Sequence, residues 1–383
     1  MSMLKIGIVG CRGLSTLLGF NSIPDCRVEA MCDLDENLLK IESEKHGIPH
    51  TYRVFEDMLM SDIDAVVVST PMQSHVEYAM MALEAGKHVL SEVTAGVTMD
   101  ELFWLCEAVE QSGKTYMFAE NCCYLPYVQQ IRAMVRAGLF GEVYYGEGEY
   151  LHDVKELTRY NYGLHQSGRS SWRRYWQLGK RGSFYPTHSL GPVMQWFEGE
   201  RITQVASFGS GRHIGAEQGL RQDDTSVTMC QMASGKLARI RIDCMSPRPH
   251  NLAYYQLQGT RGVFETPRGF GDRPKICLTS GSADYGEAKW ESLDNYAEYI
   301  PERFRTATDE QKAAGHGGSD FFLVQAFVDA VRTGQKPDID VYQACEWTAV
   351  GLFSELSIQN GGRTMDMPNF RKNMPWSEQI IKL

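Results

Sequence analysis

Leu4-Lys5-Ile6-Gly7-Ile8-Val9-Gly10-Cys11-Arg12-Gly13-Leu14 begins as an apolar run and breaks into a glycine-bearing turn. The run reads as a buried strand, and the glycines let the backbone bend sharply into a following helix. Such a turn aims N–H groups at an anion, so Gly10, Cys11, Arg12, Gly13 and Leu14 are candidates to hold a dinucleotide pyrophosphate. The fingerprint is incomplete. A G-x-G-x-x-G pattern started at Gly10 puts Arg12 at the second glycine and Ser15 at the third. Taken alone, the segment suits a plain strand-to-helix turn equally well.

Working outward, the next strand-like run ends in Met31-Cys32-Asp33, with Asp33 twenty residues beyond Gly13. An acid at that place can accept the adenosine ribose hydroxyls; its competing role is to cap the helix that starts near Asp35. A carboxylate would repel a 2′-phosphate, and Leu34 rather than an arginine follows it, which favours NAD over NADP. Strand-like runs at Leu4–Val9, Val28–Cys32, Ala65–Ser69, His88–Leu90 and Tyr116–Ala119 alternate with helix-like stretches at Glu36–Lys45, His75–Glu84 and Met99–Gln111. Uninterrupted apolar strands between helices predict a doubly wound parallel sheet, an α/β Rossmann domain over residues 1–122. Ligands of such sheets bind beyond the strands' carboxyl ends. Ser69, Thr70, Pro71, Gln73 and His75 lie there, followed by Glu92, Val93 and Asn121.

From residue 123 to 383 the pattern changes. Alternating runs at Val143–Tyr150, Gln204–Ser207, Thr225–Met232, Lys236–Asp243 and Tyr254–Gly259 predict a large open, mostly antiparallel sheet. Helices are expected at Val128–Ala137, Ser319–Thr333 and Val341–Gln359, making an α+β substrate-binding and catalytic domain packed tightly on the first. Hydrophobic residues form 43% of the 383 and charged ones 22%, the balance of a globular enzyme. A net charge of −10 disfavours nucleic acid. The ten cysteines show no C-x-x-C spacing, which suits a reducing compartment. No run approaches the ~20 apolar residues of a membrane span, and no leader pattern is present, so the cytoplasm is expected.

Together these segments resemble the Gfo/Idh/MocA oxidoreductases over essentially the whole chain. Thr70-Pro71-Met72-Gln73-Ser74-His75 looks like that family's T-P-x-x-x-H loop, and Gly86-Lys87-His88-Val89-Leu90-Ser91-Glu92 like the approach to its Glu-Lys-Pro motif. Two departures matter. Val93 stands where the dehydrogenases carry a proton-moving lysine, and Phe184-Tyr185-Pro186-Thr187-His188 keeps the histidine of D-x-G-x-H without the aspartate. Both departures are similar to a narrower branch, the NAD-dependent α-N-acetylgalactosaminidases. Glu92-Val93, Glu120-Asn121-Cys122-Cys123-Tyr124 and Tyr185-Pro186-Thr187-His188-Ser189-Leu190-Gly191-Pro192-Val193 match its segments, while Thr94-Ala95-Gly96 departs from them. The resemblance implies NAD as a retained cofactor and a redox-neutral cycle on a carbohydrate. A ring carbon is oxidised, the ketone acidifies the neighbouring C–H, a base takes that proton, the aglycone leaves, and water and hydride are added back. It also leaves pairing into a homo-oligomer open.

His188 is the first candidate base, because an imidazole titrates near neutrality; a structural cap is its competing role. Tyr185 and Tyr150 are the next acid–base candidates, weighed against ordinary packing. Tyr124 and His316 are candidates for substrate contact. Arg169-Ser170-Ser171-Trp172-Arg173-Arg174-Tyr175-Trp176 mixes bases with aromatics, but one short patch on an acidic chain makes a poor nucleic-acid platform. The resemblance instead points Trp172 and Arg173 toward cofactor or sugar. His152, Asp153 and His188 lack metal-ligand spacing, so no metal is expected. Simple sugar or inositol dehydrogenation and a non-catalytic NAD-binding regulator are the alternatives.

Overall fold

Six parallel strands form the first sheet: β1 (Leu4–Val9), β2 (Cys26–Cys32), β3 (His50–Tyr52), β4 (Ala65–Val68), β5 (His88–Ser91) and β6 (Tyr116–Phe118). Their order is β3-β2-β1-β4-β5-β6, so the chain switches sides between β1 and β4 and leaves a crevice at that point. All four residues of β4 are buried, as a strand covered on both faces requires. The helices end where the sequence predicts. Gly47 and Gly113 adopt left-handed φ values of 66° and 61° after helices Glu36–His46 and Met99–Ser112. This computed structural model describes residues 2–159, 171–249, 253–279 and 288–371.

The second sheet holds β7 (Val143–Leu151), β8 (Ile202–Gly209), β9 (Thr225–Met232), β10 (Leu237–Asp243), β11 (Ala253–Gly259), β12 (Gly262–Glu265), β13 (Lys275–Leu278), β14 (Glu291–Ser292) and β15 (Met365–Asp366). They run in the order β14-β13-β12-β11-β7-β10-β9-β8-β15, antiparallel everywhere except between β7 and β10. Helix Thr187–Met194 lies directly on β7 because two strand residues there have no side chain. A Cβ on Gly148 would stand 1.9 Å from the Ser189 carbonyl oxygen, and one on Gly146 would stand 2.6 Å from Val193. That close approach sets the depth of His188.

Two C-terminal helices return to the first sheet. Ser319–Thr333 packs on Leu17–Asn21, with Phe20 and Phe327 edge to face at 6.3 Å. Val341–Gln359 lies between Met99–Ser112 and β8; Thr348 Oγ1 accepts from the Ala95 N–H at 3.1 Å and Ser357 Oγ from Ser207 at 2.9 Å. One continuous core therefore joins both sheets.

Some elements differ from expectation. The helix expected straight after Gly13 is a 3₁₀ segment, Cys11–Thr16, followed by the short α-helix Leu17–Asn21. Strands β3 and β12–β15 and helix Phe55–Leu59 have two to five residues each, too few to show a period. Arg169 and Ser170 lie outside the described residues.

Candidate active site

A cleft of about 1430 Å³ runs from the β1–β4 switch point to the helix on β7. Gly10 forms its floor at φ 86°, and a Cβ there would meet the Ser69 carbonyl oxygen at 2.6 Å. Only glycine lets these two loops approach so closely. Cys11, Arg12, Asp33, Leu34, Ser69, Thr70, Pro71, Gln73 and Asn121 line the cleft as well. Asp33 is not the helix cap: Asp35 accepts the helix N–H groups of Asn37 and Leu38, both at 3.0 Å. The Asp33 carboxylate instead receives the Cys11 N–H at 2.9 Å and the Asp35 N–H at 3.0 Å, which fix it at the crevice rim. Gln73 Oε1 and Asn121 Oδ1 are buried with no partner among the described residues, so acceptors await a donor here. A dinucleotide with ribose hydroxyls and a carboxamide fits this set of groups.

Other expected cofactor residues act one step back. Gly13 is buried, and its missing Cβ faces Ile8 Cγ2 at 2.7 Å and Ser69 Oγ at 2.5 Å, so it serves strand-to-turn packing rather than the pyrophosphate face. Leu14 leans on the core. His75 is buried between the Thr94 and Thr70 carbonyls at 2.7 and 2.8 Å and pins the two loops together; burial draws its pKa down. Val93 is buried, and its peptide bond to Thr94 is cis. Glu92 lies near enough to His316 and Tyr185 to influence both electrostatically.

At the far end of the cleft, Tyr150, Tyr185 and His188 converge. Their ring centroids are 5.0 Å apart for Tyr150–His188, 5.1 Å for Tyr185–His188 and 6.0 Å for Tyr150–Tyr185. His188 Nδ1 sits 2.7 Å from Glu120 Oε1, a carboxylate shut off from solvent beyond the end of β6. The Tyr255 hydroxyl donates to the His188 carbonyl. With Nδ1 engaged, Nε2 is the nitrogen left for the cleft. Burial opposes the imidazolium, but the Glu120 carboxylate outweighs it and holds the His188 pKa well above its usual value. Burial also raises the Tyr150 and Tyr185 phenols, which stay protonated as donors. The Tyr150 hydroxyl and His152 Nδ1 are 2.9 Å apart. Trp172 and Arg173 also line the cleft, the guanidinium 4.5 Å above the indole.

Sequence reasoning gave Glu120 no catalytic role, weighed His152 only as a metal ligand and did not single out Tyr255. Glu120 had a visible signal, since it follows the last strand of the parallel sheet. Tyr255 had none, because its partner is a backbone carbonyl 67 positions away. Tyr124 is not brought to the cleft; it is buried in the core, and its hydroxyl donates to Asp338 at 3.4 Å. His316 does line it. Among the described residues, Glu120, Cys122 and His188 hold potential metal-ligand atoms within 4.8 Å of one another, a different group from His152, Asp153 and His188. At 2.7 Å the carboxylate and Nδ1 address each other, and burial keeps the Cys122 thiol protonated, so the geometry is that of an acid–base pair.

Comparison with known proteins accords with this geometry. Residues 4–120 match the oxidoreductase family with an NAD-binding Rossmann fold, and residues 124–377 match the glycosyl hydrolase 109 C-terminal domain. A glycosyl hydrolase family 109 protein of Saccharopolyspora erythraea is 30% identical, covering 96% of this chain and 83% of its own. An alpha-N-acetylgalactosaminidase of Shewanella oneidensis is also 30% identical, covering 97% and 86%. Among solved structures, a levoglucosan dehydrogenase bound to NADH and levoglucosan shares the fold at TM-score 0.77 and 18% identity, over 95% of this chain and 99% of that one. The apo scyllo-inositol dehydrogenase of Lactobacillus casei does so at TM-score 0.70 and 17%, over 96% and 99%. The chain is thus an NAD-binding enzyme of oxidoreductase fold and belongs to glycosyl hydrolase family 109.

Proposed function

We propose that this enzyme cleaves a glycoside by a redox-neutral cycle of oxidation, elimination, water addition and reduction on one sugar ring. The observation that carries the reading is the Glu120–His188 pair. It supplies a proton-transfer group at the cleft, whereas position 93 holds a buried valine and no lysine. NAD bound along Gly10, Asp33 and Asn121 would supply hydride acceptance and return. His188 Nε2 exchanges a proton with the sugar while Glu120 compensates the charge on the ring. Tyr150 and Tyr185, as protonated phenols, orient hydroxyls and the leaving oxygen. Trp172 and Arg173 shield the reacting face from water.

On this reading residues 1–122 hold the cofactor and 123–383 present the sugar. The ten thiols are all free and buried, which supports a reducing cytoplasm; no described helix is long and apolar enough to cross a membrane. Phe208, Val227 and Met229 on the uncovered face of the large sheet support a homo-oligomer, which sedimentation velocity would reveal. A panel of chromogenic glycosides and free sugars, followed for aglycone release and for NADH absorbance, tests the activity. Aglycone release without NADH build-up, together with deuterium uptake from solvent at the ring carbon, is expected. Stoichiometric NADH with oxidised sugar would make the enzyme a simple dehydrogenase.

A further inference from the structure

The loop before helix Ser319–Thr333 has an unusual backbone. His316, Gly317 and Gly318 are three successive residues with positive φ, 55°, 71° and 90°. Glycine adopts such values freely, but histidine does so at a cost, and residues held that way cluster where a side chain must be aimed. Here the imidazole is turned into the cleft. Its Nδ1 is 2.9 Å from the Asp320 carboxylate, which also accepts from Asn121 Nδ2 at 3.1 Å. Gly315 makes room for that contact, since a Cβ there would lie 2.4 Å from Asp320 Oδ2. The residues that face His316 electrostatically are Asp320 from its own helix, Glu92 from the loop after β5, and Arg12 from the turn after β1.

Arg12 occupies the place where the phosphate-binding fingerprint usually has its second glycine. Its guanidinium makes no ion pair among the described residues, and its charge opposes that of a protonated His316. Two cations lining one cleft, one on the turn after β1 and the other on the loop before helix Ser319–Thr333, call for an anion between them. A nicotinamide dinucleotide carries its negative charge on the pyrophosphate.

We propose that His316, positioned by Asp320, is a cationic contact to the cofactor's pyrophosphate and reaches it from the side opposite Arg12. This rests on the NAD reading above. The hydrogen bond to Asp320 raises the His316 pKa above the usual histidine value, so His316 grips the cofactor below that pKa and loosens above it.

Calorimetric titration of the full chain with NAD, and separately with adenosine, between pH 6 and 9 tests this. NAD affinity should fall as pH rises, while adenosine, which has no phosphate, binds equally at every pH. His316→Asn keeps a residue that tolerates positive φ; it should bind NAD roughly tenfold more weakly at low pH and lose the pH dependence. Asp320→Asn should move the fall to lower pH. Unchanged NAD affinity and pH profile in His316→Asn would overturn the assignment. So would an equal loss of adenosine binding, since that marks a distorted turn rather than a missing charge. A parent protein that binds no NAD would overturn the cofactor reading itself.

Discussion

Glu120 and His188 meet across 2.7 Å although one follows the last strand of the parallel sheet and the other rides a helix on the antiparallel one. Gly191 makes this meeting possible. A Cβ at that position would stand 2.8 Å from Glu120 Cγ and 3.0 Å from Cys123 Sγ, so any larger residue would push the carboxylate off the ring.

A histidine with a raised pKa is a free base only above that pKa. If His188 removes the ring proton, kcat/KM should rise with pH through a midpoint above the usual ~6.5 of a histidine. Glu120→Gln removes the group that raises it, so the midpoint should move to lower pH and turnover should fall on the order of 10²-fold. His188→Ala should cost roughly 10²–10⁴-fold in turnover and leave NAD affinity nearly intact. pH–rate profiles with calorimetric NAD titrations read both outcomes; an unmoved midpoint in Glu120→Gln would uncouple the pair.

Asp33 should set cofactor choice. Two backbone N–H groups clamp its carboxylate, so it cannot swing away from a 2′-phosphate. NADP should bind at least about tenfold more weakly than NAD, and Asp33→Asn should narrow the gap. Equal affinity for the two cofactors in the unaltered enzyme would refute the assignment.

Gly13→Val should injure the fold and the cofactor site together, because the new side chain would meet Ile8 and Ser69 rather than the ligand. A cost of about 1–3 kcal/mol is expected, with Gly13→Ala milder. Thermal melts with and without NAD would separate this from a purely local effect; a Val variant that melts like the parent but binds no NAD would return Gly13 to the ligand face.

Glu346 yields a stability prediction. Burial lifts its pKa to about 7, although its carboxylate accepts the Ile202 N–H at 3.1 Å. A carboxyl raised in the folded state is protonated there before it is in the unfolded chain, so its ionisation lowers stability between about pH 4.5 and 7. Glu346→Gln should be nearly neutral at pH 5 and raise stability by on the order of 2 kcal/mol at pH 8. Chemical denaturation at the two pH values measures it; equal effects at both would show that Glu346 is not strained by its charge.

The parallel sheet was legible because its strands are mostly apolar runs separated by helix-like stretches, as at Ile6–Val9 before Gly10 and Ala65–Val68 before Ser69. Thr225–Met232, Ser319–Thr333 and Val341–Gln359 were legible through their alternation or helical period. The site was legible where one loop carried several polar groups, as at Ser69–Gln73 and Tyr185–His188. What sequence could not display was contact between distant segments. Asp320 on Asn121, Tyr255 on the His188 carbonyl and Glu120 on the ring are single-residue meetings with no periodicity. Tyr124 misled for the same reason. It sits inside a matching segment, but only packing reveals that its ring is directed into the core.

The parallel pairing of β7 with β10 bears on how the enzyme reaches its working form. Residues 152–236 must be laid down and folded back before those two neighbours can join, and that span carries Trp172, Tyr185 and His188. Closing so long an excursion is entropically unfavourable, and chains rich in such distant pairings fold slowly. The Rossmann side of the cofactor crevice, built from short βα steps, lies within the first part of the chain to leave the ribosome. The imidazole that does the chemistry is delivered afterwards, and its carboxylate partner is already waiting when it arrives.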